Sequence, residues 1–177
     1  GRGYIPPTPA QMAAAYAAAK AANGNRLGAL AQLQTLPASF DVRVNGWSMP
    51  VGDQMNCGSC YEYSTVLTAN AAARKAGYPK SLILSTQYYL DCQDVGGCGG
   101  GWGIEVVKLM IKSGMPAESY VNDAGQQVNY YPGYEGRERS CRTAPNAKMW
   151  KPAGWGFCTS DQSDRAPTVA EIKTAMF

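Results

Sequence analysis

The sequence predicts an α+β fold class, with its helices concentrated in residues 59–113. Three observations carry the helical part. Ser59, followed three residues later by Glu62, makes an S-x-x-E capping box, and the run through Val66, Leu67 and Ala69 continues the helix to about Ala76, where Gly77 stops it. Residues 84–92, Leu-Ser-Thr-Gln-Tyr-Tyr-Leu-Asp-Cys, read as a short capped helix. Ile104, Val107, Leu109, Met110 and Ile111 then recur at helical spacing, ended by Gly114 and Pro116.

In chain order, residues 1–9 are rich in Gly and Pro and predict irregular backbone. Residues 10–22, mostly alanine, have strong helix propensity and end at Asn23-Gly24-Asn25. Residues 27–36 read as a second short helical or extended piece. Residues 1–35 are set apart as an N-terminal extension or short prosegment, a surface helix that only packs being the plainer reading. Residues 36–177 follow as the main domain. Residues 78–80 form a turn. The run from Gly96 to Gly103 holds too many glycines for regular structure, and glycine on this scale lets another backbone approach closely. Residues 130–158, rich in Tyr, Pro, Gly and Arg, predict irregular chain. Thr168 and Glu171 make a second capping box that opens the last helix.

A chain of 177 residues can form one domain, or one and a piece of another. An apolar fraction of 45% argues against disorder, and a charged fraction of 16% with 20 glycines and 11 tyrosines points to an ordered, loop-rich exterior. The net charge of +3 is small and no segment clusters Lys and Arg with stacking aromatics, so nucleic acid is not an expected partner. No apolar run reaches membrane-spanning length, so no membrane partner is expected either. No signal peptide is visible; the chain begins Gly-Arg-Gly, consistent with a leader removed or left out. Six cysteines at these spacings suggest an oxidising compartment: secreted, periplasmic or lysosome-like. With no histidine and irregular cysteine spacing, no metal set emerges, and the glycines satisfy neither phosphate-binding pattern, so no cofactor is expected.

The chemistry centres on Cys60. It falls at the first helical position after Ser59, where unpaired backbone N–H groups and the helix dipole favour a thiolate over a thiol. A thiolate is the form that attacks carbonyl carbon. Cys57 and Cys60 also form a C-x-x-C pair. Taken alone they leave a thiol oxidoreductase and a protease comparably supported.

The wider segment decides between them. Cys57-Gly58-Ser59-Cys60-Tyr61 resembles the active-site signature of the papain-like cysteine proteases, and Gln54, six residues before Cys60, adds to the resemblance. Residues 84–92 resemble the family's L-S-x-Q-x-L-x-D-C segment, and residues 36–43 its mature N-terminus, with Val42 where a Trp is usual. The resemblance implies the two-lobe papain-like fold, this chain being mainly the helical lobe plus the start of the β-barrel lobe. It implies Cys60 as nucleophile and Gln54 as a donor to the oxyanion with the Cys60 backbone N–H. It further implies that Gly100 and Gly101 pair with an extended peptide substrate by strand addition, with Gly58, Trp102 and Gly103 lining the adjoining pocket. By the same resemblance Cys57 pairs with Cys98 and Cys92 with Cys141. Sequence alone leaves several connectivities open and Cys158 odd.

Two departures carry expectations. Tyr61 stands where most of the family has Trp, and Glu62-Tyr63 replaces the common Ala-Phe. Glu62 puts a negative charge within one turn of Cys60, opposing a thiolate, unless capping turns it back to the helix start. The family's His and Asn lie about 130–150 residues beyond the cysteine. They are therefore expected at roughly 190–210, on a second chain or a C-terminal segment. The expected activity is that of a cysteine endopeptidase acting on peptide or protein substrates, inactive on these residues alone. The alternatives are a non-catalytic papain-like binding or regulatory protein and, third, the C-x-x-C oxidoreductase.

Overall fold

The computed structural model describes residues 3–23, 35–94, 96–142 and 146–176. The chain divides into two compact units, Gly1–Pro6 with Asp41–Pro152 and Pro7–Phe40 with Ala153–Phe177.

The larger unit is built on helix α2, Cys60–Lys75; helix α1, Pro9–Asn23, belongs to the smaller unit. Glu62, Val66 and Asn70 lie four residues apart, so one stripe of α2 carries all three inward, and each is buried. Asn70 ties the helix to the sheet: its amide donates to Val66 O at 3.0 Å, and its Oδ1 accepts Leu84 N at 3.1 Å. Strand β1, Ile83–Leu84, leads into helix α3, Thr86–Cys92, where Ser85 caps by accepting from Tyr88 N. A 3₁₀ turn, Gly97–Gly99, precedes helix α4, Gly103–Ser113.

The strands are short apart from β2, Met115–Val121, which pairs antiparallel with β1, with β3 (Gln127–Val128) and with β4 (Met149–Trp150). Leu84 faces Ala117, Tyr120 faces Val128 and Met115 faces Trp150. The core fills the space between α2, α4 and this sheet with Tyr61, Val66, Leu82, Tyr89, Val106, Met110, Met115 and Trp150. Neither β2 nor β4 follows from the patterning of the sequence. Pro116 reads as a helix terminator, yet it sits in β2 opposite Met149. The β4 strand lies inside the span expected to be irregular.

In the smaller unit, helix α1 spans Pro9–Asn23, close to the alanine run, and opens on a reciprocal cap between Thr8 and Gln11. Helix α5, Val169–Met176, opens on the expected box, Thr168 N donating to Glu171 Oε2 at 2.8 Å and Glu171 N to Thr168 Oγ1 at 3.2 Å. The piece expected at 27–36 lies mostly outside the described residues.

Candidate active site

Cys60 is the first residue of α2, and its thiol is free and exposed. It opens onto a cleft of about 440 Å³ lined by Met49, Pro50, Val51, Gln54, Tyr63 and Leu67, among others. Cys57 is bonded to Cys98, so the Cys57–Cys60 redox pair is not formed, and the oxidoreductase alternative loses its dithiol. Cys92 is bonded to Cys141, and Cys158 is free and exposed.

The helix start is built differently from the capping box. Ser59 occupies the cap position without a side-chain cap hydrogen bond. Its hydroxyl lies 2.5 Å from the Tyr134 hydroxyl instead. Glu62 does not turn back, because its place on the Val66–Asn70 stripe points it into the core. A capping interaction contributes about 1 kcal/mol, too little to turn an inward-facing position out. Burial first, and the Asp91 carboxylate second, push the Glu62 carboxyl up to about 9, so it is protonated near neutral pH. The negative charge expected beside Cys60 is therefore absent.

Gln54 lies three residues before Cys57 in a tight turn. Its amide Nε2 donates to Cys57 O at 2.8 Å, and its backbone carbonyl accepts Cys57 N at 3.2 Å and the Tyr134 hydroxyl at 3.1 Å. The neighbouring Gly58 N donates to Cys98 O at 2.9 Å, stitching the nucleophile loop to the glycine run alongside the disulfide.

Tyr61 supports that run from beneath. Its hydroxyl accepts Gly97 N at 2.8 Å and donates to Gly97 O at 3.3 Å, and a Cβ on Gly101 would stand 2.7 Å from its ring. Glycine at 101 is thus required by the ring below it. A Cβ on Gly103 would meet Thr65 Oγ1 at 2.6 Å, which lets α4 start close against α2. Gly100 has φ +105°, a conformation open to glycine. Trp102 precedes α4 and is half-buried.

The Gly101 backbone already has a partner. Gly101 N donates to Gly3 O at 3.0 Å and Ile5 N donates to Gly101 O at 2.9 Å, a parallel bridge centred on Tyr4. A Cβ built on Gly3 would overlap the Cys60 Sγ. The N-terminal segment therefore crosses the thiol on a residue with no side chain. Sequence reasoning missed this contact; the proline- and glycine-rich composition of residues 1–9 was its signal. Among the described residues no group of three or more His, Cys, Asp or Glu could hold a metal, and no helix is long and apolar enough to cross a membrane.

An exposed thiol at a helix start, a glutamine turn before it and a glycine wall beside it keep together the residues that carry the resemblance to the papain-like cysteine proteases. The comparisons agree. A family model described as papain family cysteine protease matches residues 36–175. Cathepsin K of Gallus gallus is 36% identical over 124 residues, covering 67% of this chain and 33% of the relative. Cysteine proteinase 2 of Entamoeba histolytica is 34% identical over 112 residues, covering 60% and 32%. Among solved structures, digestive procathepsin L2 from Tenebrio molitor larval midgut aligns with a TM-score of 0.55 at 28% identity, over 68% of this chain and 36% of that one. The proform of the ragweed pollen allergen Amb a 11, a cysteine protease, aligns with a TM-score of 0.56 at 27% identity, over 68% and 31%. The chain belongs to the papain family of cysteine proteases. It spans about a third of the length of the curated relatives it matches.

Proposed function

We propose that this chain supplies the nucleophile, oxyanion and substrate-wall half of a cysteine endopeptidase. In this reading the Cys60 thiolate adds to the carbonyl carbon of a peptide bond. The oxyanion is held by the Cys60 backbone N–H and by the Gln54 amide N–H not given to Cys57 O. Collapse expels the amine and leaves a thioester at Cys60, which water then hydrolyses. The sequence contains no histidine, so the imidazole that takes the thiol proton and protonates the amine comes from outside these residues. The apolar rim of the cleft, with Met49 and Leu67 beside a Val51 that is 99% exposed, suits the seat of that His- and Asn-bearing segment.

The substrate is a peptide or protein taken in extended form against Gly101, with Gly58, Gly100, Trp102 and Gly103 around it. The observation that carries the reading is the Gly3–Ile5 segment, which holds both backbone groups of Gly101 and passes directly over Cys60. That segment supports reading the wall as an acceptor of extended peptide beside the thiol. It also makes residues 3–5 an occupant of the cleft, which supports a prosegment role for the N-terminus and a zymogen. The two disulfides fit an oxidising compartment.

The test is peptide hydrolysis by the polypeptide that carries the His-bearing segment. Cys60→Ala should lower kcat by about 10³-fold or more with peptide affinity retained. The second reading is a papain-like binding protein, to which the departures Glu62 and Tyr63 beside Cys60 point. It predicts peptide bound along Gly100 and Gly101 with no hydrolysis in either form.

A further inference from the structure

We infer that Tyr134 is a positioning residue whose hydroxyl locks the Gln54 turn to the start of helix α2, an inference that rests on the reading of Cys60 and Gln54 proposed above. A phenol has one proton to donate. The 3.1 Å contact with Gln54 O requires that proton, because a carbonyl only accepts. The 2.5 Å contact with Ser59 therefore has the Ser59 hydroxyl donating and the phenol oxygen accepting. The result is a directed chain, Ser59 Oγ–H to Tyr134 O–H to Gln54 O=C. Its two ends are the residue immediately before the nucleophile and the residue placed to face the oxyanion. The Ser59 hydroxyl, fully buried, is aimed at Tyr134 and makes no helix cap.

Tyr134 is itself held from below. Its ring meets Tyr63 edge-on, 4.8 Å between centroids. The next amide, Glu135 N, donates to Gln87 Oε1 at 2.8 Å, and Gln87 Nε2 reaches Arg137 O at 2.8 Å. Arg139 N donates to Asp91 Oδ1 at 2.9 Å, and Cys92–Cys141 closes the segment. Gln87 and Asp91 are buried polar groups of helix α3 whose hydrogen bonds are spent on this loop. Burial raises the Tyr134 phenol above its ordinary value, so it stays a donor across neutral pH. The arrangement is a supporting shell for an oxyanion donor, where a shift of about 1 Å costs on the order of 10²-fold in rate.

The test compares Tyr134→Phe, Ser59→Ala and the double variant in the polypeptide carrying the His-bearing segment, with amide hydrogen exchange read on the same proteins. Each single change should lower kcat about tenfold, smaller than the loss of a direct oxyanion donor, with KM within twofold. Exchange at residues 54–58 should rise about tenfold in each, while strand β2 keeps its protection. The double variant should be no worse than the worse single, because both break one chain. Alkylation of Cys60 by iodoacetamide should stay within about twofold, separating loop position from nucleophile strength. Unchanged exchange at 54–58, additive losses, or an effect carried by KM would overturn the inference. If Cys60 is not the nucleophile, Cys60→Ala keeps whatever activity exists, and the exchange at 54–58 still decides whether Tyr134 holds the turn. Should Tyr134→Phe fail to fold, Ser59→Ala breaks the same chain without touching the ring.

Discussion

Glu62 is buried on the inner face of α2 with neither carboxyl oxygen hydrogen-bonded, and its acidity is set by that burial. An unpartnered buried charge costs far more than an unpartnered neutral polar group, so the proton stays on. The folded protein therefore binds this proton up to about pH 9, whereas the unfolded chain releases it near the ordinary value of 4.5. Between those two values the folded state holds more protons, so this group's contribution to stability falls as pH rises, by up to about 1.4 kcal/mol per unit. Below 4.5 the contribution is fully present. We expect Glu62→Gln to flatten the slope of unfolding free energy between pH 5 and 8, measured by urea titration at several pH values. An unchanged slope would mean that Glu62 ionises in the folded protein. The residue also shows where reading by motif stops. Its spacing to Val66 and Asn70 marks an inward stripe, but the S-x-x-E pattern competes for the same residue, and only packing decides between them. The same pattern at Thr168 and Glu171 forms its box, with Thr168 exposed and Glu171 only partly covered, so no inward stripe competes for the carboxylate.

At the scale of elements, the Gly3–Ile5 segment and the glycine wall make one small interface. Its energy is two backbone hydrogen bonds, each worth roughly 1 kcal/mol net, and its geometry depends on Gly3 having no Cβ. We expect Gly3→Val to lift the segment. Exchange of the Gly101 amide should accelerate about tenfold, and Cys60 should alkylate several-fold faster, both followed by mass spectrometry. Equal rates in the two proteins would show that the contact does not hold the segment. Helix α2 was legible from its apolar run and the Gly77 stop, α3 from the Ser85 cap, and α4 from apolar spacing closed by Gly114. The strand β2 was not, since its residues are buried at Met115, Ala117 and Tyr120 through long-range pairing that local patterning does not encode. Tyr134 likewise sits in a stretch that looks irregular; its role arises from the Ser59 hydroxyl and the Gln54 backbone carbonyl, 75 and 80 residues away.

At the scale of the molecule, the proposed nucleophile stands among residues that include no histidine, and the organisation is that of the helical half of a two-lobe fold. The Cys60 segment and the α3 segment made this legible, because family signatures of that length are tied to chemistry. The origin of the imidazole is not encoded in these residues at all. The chain also contains its own control. Cys60 and Cys158 are both free and exposed, so they differ in setting rather than in access. Of the two, Cys60 has the glycine run beside it and a helix start beneath it. The most direct measurement is the ratio of adducts at Cys60 and Cys158 after brief treatment with a peptidyl vinyl sulfone, read by tandem mass spectrometry and compared with iodoacetamide. A papain-family nucleophile predicts peptidyl adduct concentrated at Cys60 at least about tenfold over Cys158, with a much smaller preference for iodoacetamide. Equal labelling of the two thiols by both reagents would contradict the assignment of Cys60 as the residue this chain is built to present.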